Sequence, residues 1–166
     1  MAALRYCKRC VMPDTKPDLH LDEDGICNAC RSYERRKVVD WNQRKHELLT
    51  VLDRYRSKDG SNYDCIIPVS GGKDSHFQTI RMLELGMNPL CVTATTDQLS
   101  EIGRHNIENI KRLGVDYIEV SLNPVVRRKI NRLALTQVGD ISWTEHVSIF
   151  TVPVRVATQV NVPLLV

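Results

Sequence analysis

No stretch of this sequence approaches the roughly 18 consecutive apolar residues that a membrane-spanning helix needs. Its opening, Met1-Ala-Ala-Leu-Arg-Tyr-Cys7, lacks the apolar run of a secretory signal. Both absences lead us to expect a cytoplasmic protein without a membrane span. A dominant charge is lacking too, since 23 Lys and Arg stand against 20 Asp and Glu for a net charge of +3. A balance so small and so mixed does not mark nucleic acid or anionic lipid as a partner, and nucleic acid is not expected. Internal repeats and low-complexity tracts are also absent. The 166 residues, 42% of them hydrophobic, are enough for one ordinary domain with a small appendage.

Six cysteines are present, and in a reducing compartment they are expected to bind metal or to sit as reduced core thiols rather than to form disulfides. Spacing separates the two uses. Cys7-x-x-Cys10 and Cys27-x-x-Cys30 are two knuckles within the separation typical of structural zinc sites, whereas Cys65 and Cys91 stand apart in apolar strands and read as small buried hydrophobes. Residues 1–34 hold few large apolar side chains around a loop rich in Pro, Asp and Gly. Four thiolates on one Zn²⁺ would supply the missing folding free energy, on the order of 10 kcal/mol. A closed four-sulfur site has no open position for catalysis, so this zinc is expected to be structural.

Beyond it, Trp41, Leu48, Leu49, Leu52 and Tyr55 recur at helical spacing, which predicts an amphipathic helix linking the first unit to the rest over residues 35–60. From residue 61 to 166 strands and helices alternate. Strands are expected at Asp64–Val69, Asn88–Thr93, Tyr117–Leu122 and Val162–Val166. Helices are expected at Asp74–Leu85, Leu99–Leu113, after Pro124, and through Val154–Val160. This order predicts an α/β fold with a doubly wound parallel sheet covered on both faces. Ligand loops in such folds follow strand C-termini, so a chain stopping at Val166 is expected to be truncated.

The strand ending at Val69 runs through Ser70-Gly71-Gly72-Lys73-Asp74-Ser75 into a helix. Glycines let backbone N–H groups approach phosphate oxygens, and the helix points free N–H groups and its positive dipole end at the same place. Lys73 adds a mobile positive charge, and the hydroxyls of Ser70 and Ser75 add donors. Every parallel α/β unit needs some turn here, but all six residues in register between strand and helix make an ATP phosphate site the better reading. The segment is shorter than a Walker A loop and resembles the PP-loop of the ATP pyrophosphatases, the adenine nucleotide alpha hydrolase-like type. That resemblance implies a grip on the β and γ phosphates as a pyrophosphate leaving group, with attack on the α phosphorus. Lys73 and Asp74 are the candidate catalytic residues, Asp74 as a ligand of Mg²⁺ or of its water shell. By analogy of fold, Val69, Thr93 and Ala94 would lie near the adenosine, although Thr93–Thr96 reads equally well as an ordinary strand end.

Other candidates have two readings each. Asp97 and Glu101 would bind ribose or metal, or cap a helix. Arg104 with Asn106 and Asn109, and the cluster Arg127-Arg128-Lys129-Arg132, would meet substrate phosphates or form exposed helix faces. His146 would face the site or pack.

Taken together, Tyr6-Cys-Lys-Arg-Cys-Val-Met-Pro-Asp-Thr15, Gly25-Ile-Cys-Asn-Ala-Cys30, Tyr55–Asp64, Pro68–Ser75, Asn88–Thr93, Gly103-Arg104 and Phe150-Thr-Val-Pro-Val-Arg155 resemble the N-acetyl sugar amidotransferases of the WbpG type. The resemblance implies an ATP-dependent ligase of surface polysaccharide (LPS O-antigen) synthesis that turns an acetamido group of a nucleotide sugar into an acetamidino group. The amide oxygen attacks the α phosphorus, pyrophosphate leaves, and ammonia then displaces AMP. Ammonia is implied to come from a separate glutaminase subunit, since nothing here resembles a glutaminase nucleophile. Some members carry a cysteine just before the position of His146, where this chain has Glu145. The alternative is a tRNA-thiolating PP-loop enzyme, which also pairs cysteine-bound zinc with this loop but needs reactive cysteines. This chain has none after Cys91.

Overall fold

The computed structural model describes residues 3–96 and 99–166. It divides into two units, Met1–Glu47 and Leu48–Val166, and the division falls inside one helix, α2 (Trp41–Tyr55). Among the described residues no helix is long and apolar enough to cross a membrane.

The first unit is built from reversals of the chain. Single antiparallel bridges join Tyr6 to Pro13 and Leu21 to Cys27, and neither grows into a strand. Gly25 sits at φ +77°, where a Cβ would stand 3.0 Å from Lys8 Cε. Its carbonyl accepts the Lys8 N–H at 3.0 Å and ties the two knuckles together. Helix α1 (Asn28–Arg35) begins at Cys27, whose sulfur accepts the Cys30 N–H and so caps the helix while facing the other cysteines. Burial is confined to Cys7, Leu19 and Cys27, with Leu21, Ile26 and Cys30 packed on them. Further along, the Asp40 carboxylate accepts the N–H groups of Asn42 and Gln43 and opens α2.

The second unit is a mixed α/β structure around three parallel strands, β1 (Cys65–Pro68), β2 (Pro89–Thr95) and β3 (Asp116–Ser121), in that spatial order. Helices α3 (Lys73–Glu84) and α4 (Glu101–Lys111) make the two crossovers, and α5 (Pro124–Val138) and α6 (Trp143–Gln159) follow. Strand residues alternate between two apolar layers. Cys65, Ile67, Val69 and Cys91 meet Leu52, Met82 and Ile110 on one face, while Ile66, Leu90 and Val92 meet Val156 and Val162 on the other. Both faces of the sheet are therefore covered, which is why β1 and β2 read as continuous apolar runs.

Local signals explain the boundaries. Asn123 caps α5 through bonds to Val125 and Val126, Pro124 occupies its first turn, and Gly139 at φ +73° ends it. Ser100 caps α4 through its bond from the Gly103 N–H. At the foot of the sheet the buried Asp64 carboxylate accepts the Ser57 N–H at 2.5 Å and the Asn88 N–H at 2.7 Å, fastening the chain entering β1 to the chain entering β2.

Two expectations change. The last helix does not start at Val154 but at Trp143, because Pro153 lies inside it. A proline normally signals a helix start, and here it is carried in the interior at the loss of one hydrogen bond. The expected strand over Val162–Val166 is a single parallel bridge of Leu165 to Ile66. Two bonds hold it, Ile66 N–H to Leu164 O at 2.9 Å and Val166 N–H to Ile66 O at 3.0 Å.

Candidate functional site

The ladder of β1 continues one residue past its end, with the Val69 N–H donating to Val92 O at 2.9 Å, and the chain then turns sharply. Gly71 makes that turn at φ +80°, with its Cα side against α4: a Cβ would lie 3.3 Å from both Asn106 Cβ and Ile107 Cγ1. A side chain here would be strained twice, by backbone and by contact. Gly72 caps α3 in an extended conformation and offers no side-chain acceptor, so no cap blocks the first N–H groups of the helix. Ser75 is buried beneath the turn, where its hydroxyl accepts the Ser70 N–H at 3.0 Å and lies 3.5 Å from the Ser70 hydroxyl. The loop thus has a defined shape before any ligand arrives.

Lys73 and Asp74 stand at its open side. Their side chains are almost wholly in solvent and pair with each other, Lys73 Nζ lying 2.8 and 2.9 Å from the Asp74 oxygens. In this geometry the lysine is free to swing onto an anion, with the carboxylate left beside it.

Next to the loop a cavity of about 380 Å³ opens at the C-terminal ends of β1 and β2. Val69, Thr93 and Ala94 line it, as does Ser70, and Phe150 and Pro153 of α6 form a further wall. Thr93 is buried and its hydroxyl donates to Val69 O, so it fastens the end of β1 rather than projecting a free donor. Because Pro153 has no N–H, the carbonyl of Ile149 loses its helical i+4 donor, and Ile149 also lines the cavity. An apolar slot with a few backbone polar groups and a phosphate-binding turn at its rim suits a nucleotide.

The remaining candidates distribute unevenly. Arg104 is engaged by Glu119 at 3.0 Å, and Thr95 donates to the same carboxylate at 2.6 Å. The Thr95 hydroxyl foremost, and then Arg104, hold the Glu119 carboxyl below the usual range. Asn106 packs on Gly71, Asn109 accepts from Arg112, and Glu101 and His146 are exposed on their helices. Asp97 lies outside the described residues. Arg127, Arg128 and Arg132 line a second cavity on α5. Cys65 and Cys91 are fully buried; burial pushes the Cys65 thiol up to about 12 and raises that of Cys91 as well, so both are inert hydrophobic fillers.

In the first unit Cys7, Cys10, Cys27 and Cys30 converge, all four sulfurs lying within 4.8 Å of one another. Cys7 Sγ is 3.9 Å from Cys30 Sγ, and Cys10 Sγ is 3.6 Å from Cys27 Sγ. Four sulfurs around Zn²⁺ at about 2.3 Å would stand roughly 3.8 Å apart, which these two separations match. None of the four is in a disulfide. The Cys10 backbone N–H foremost, with those of Arg9 and Cys27, stabilises the Cys7 thiolate and lowers its pKa to about 6. Withdrawal from water, with the neighbouring sulfurs, pushes Cys30 up to about 12. Crowded thiols that cannot all ionise together are the state a divalent metal relieves. The donor set therefore fits a structural metal such as zinc.

Phe150-Thr-Val-Pro-Val-Arg155 carries part of the resemblance in the sequence, but neither its place in a cavity wall with Ile149 nor the support of Gly71 by Asn106 and Ile107 is expected from the sequence.

No protein-family model matches the chain. Over 151 residues it is 26% identical to an uncharacterised protein of Methanocaldococcus jannaschii, MJ1599, a match covering 82% of this chain and 54% of that protein. The chain thus spans about half the length of the curated relative it matches.

Proposed function

We propose that this protein is an ATP-dependent amidotransferase of the PP-loop type, the synthetase subunit that adenylates an acetamido group of a nucleotide-activated N-acetyl sugar. The observation that carries the reading is the uncapped start of α3 behind the Gly71 turn, opening beside the cavity over β1 and β2. Ser70–Ser75 would take the β and γ phosphates and the cavity the adenosine, which leaves the α phosphorus at the rim. Lys73 would turn from Asp74 to the phosphates, adding positive charge where the leaving group gains negative charge. Asp74 would hold Mg²⁺ directly or through water, and the ion would add charge neutralisation there. The amide oxygen forms a bond to the α phosphorus as the bond to pyrophosphate breaks. Ammonia from a partner glutaminase then adds to the activated carbon and AMP departs. The cysteine cluster takes no part in these steps and holds the first unit together around zinc.

The test is AMP and pyrophosphate formation by the full-length protein with ATP, ammonia and a nucleotide-linked N-acetyl sugar. Lys73→Ala should lower the rate by 100-fold or more with the zinc content unchanged. No AMP with any acetamido nucleotide sugar overturns the reading, and AMP formed only when tRNA is added assigns the chain to the thiolating enzymes.

A further inference from the structure

Helix α6 is apolar on two sides, and only one of them is covered. Thr144, Ser148, Pro153 and Val156 are its buried residues, with Val156 packed on Ile66, Leu90 and Val92 of the sheet. Trp143, Val147, Phe150 and Val154 remain 47%, 38%, 72% and 55% exposed. Successive steps of four, three and four residues put these four in one row along the helix, the spacing of a coiled-coil seam. Together they leave about 400 Å² of apolar surface in water, as large as the biggest patch that a monomer ordinarily shows.

The row is complementary to itself. Two copies of α6 packed antiparallel about a two-fold axis between Val147 and Phe150 set Trp143 against Val154 of the second copy and Val147 against Phe150 of the second copy. Each layer then joins a ring to a small branched side chain, which is the pairing that fills space between helices crossing at about 20°. A parallel pair would instead stack ring on ring and valine on valine. No charge lies in the row to oppose the contact. On its flank the exposed Arg155 has no acidic partner among the described residues. The antiparallel register brings it level with the chain entering the other helix, where Asp140 of the second copy supplies a carboxylate. Area agrees with this occupant. Homodimer interfaces are about 65% apolar, so the row implies a contact of about 600 Å² per copy, at the lower end of what stable interfaces bury.

We propose that α6 is a dimerisation helix, on which a second copy of this chain packs antiparallel through Trp143, Val147, Phe150 and Val154. Phe150 also walls the cavity beside the glycine turn, so in the dimer that wall is backed by Val147 of the second copy. The pairing does not depend on the function proposed above.

Analytical ultracentrifugation should show a monomer–dimer equilibrium in the micromolar range. In a Trp41→Phe background the fluorescence of Trp143 should move to the blue as the dimer fills. Phe150→Asp and Val147→Lys, both at exposed positions, should each weaken the dimer by about 100-fold or more with the circular dichroism of the fold retained. An equimolar mixture of these two variants should dimerise again, because the introduced lysine and aspartate then face each other in one layer while the other layer is native. A chain still monomeric at about 100 µM overturns the proposal and leaves the row to a different protein. A dimer indifferent to both variants, or a mixture no better associated than either variant alone, overturns it as well.

Discussion

The two units hold their chains by different physics. Leu48–Val166 buries Leu52, Ile66, Ile67, Leu90, Ile107 and Ile110 completely or nearly so, each worth about 1.5–3 kcal/mol on leaving water. Met1–Glu47 buries little beyond Leu19 and its own cysteines. Its ion pairs, such as Arg31 with Asp22 at 2.7 Å and Asp24 at 2.6 Å, are exposed and add little. One unit can stand on apolar burial, and the other needs a bond to something that is not protein. The site geometry follows the same division. The hydrophobic unit carries a preformed cleft, and the other carries a closed knot of sulfur.

The strongest way to break this comparison is to remove the metal. A chelator of picomolar zinc affinity, or Cys27→Ser, should cost the first unit on the order of 10 kcal/mol, enough to unfold it. Amide NMR should then show collapsed dispersion for residues 5–38 with the resonances of the sheet unmoved. A loss of the sheet signals as well would show that the hydrophobic unit does not stand alone.

A smaller effect is expected within the second unit from Gly71→Ala. Positive φ and a Cβ 3.3 Å from Asn106 and Ile107 together should cost about 1–3 kcal/mol in chemical denaturation. ATP affinity, measured by calorimetry, should fall by more than the loss of fold explains. If Gly71→Ala binds ATP as the parent does, the turn is not the phosphate cradle.

The smallest effect concerns acid. Glu119 has its folded pKa held below its ordinary value of 4.5, chiefly by the Thr95 hydroxyl and then by Arg104. Its contribution is therefore fully present above pH 4.5 and is lost as pH falls through the lowered folded value. Arg104 is half in water, so the contribution should be no more than about 1 kcal/mol. Thr95→Val should destabilise the unit by that amount at pH 7, and the gap to the parent should narrow in thermal melts as the pH falls below 4.5. A gap independent of pH would assign the effect of Thr95 to packing.

Much of this contrast was legible in the sequence for a physical reason. Cysteine spacing and a Gly-rich turn are local signals, because the geometry they need is set within a few residues. The alternation of strand and helix was legible too, since β1 and β2 are buried on both faces and carry unbroken apolar runs. What was hidden depends on residues distant in the chain. Phe150 shares a cavity with the ends of β1 and β2 only through the packing of α6, and Pro153 made that helix look shorter than it is. The Arg104–Glu119 pair links a helix to the neighbouring strand, and nothing near either residue announces the other.

Asp64 gives the second unit a fixed end and a free one. Its carboxylate rivets the loops entering β1 and β2, while the glycine turn and the cavity beside it lie at the opposite ends of those strands. The sheet is in effect a cantilever, clamped at the base and loaded at the tip. Loops at the tip can be lengthened, exchanged or bent around different substrates without loosening the joint that keeps the strands in register.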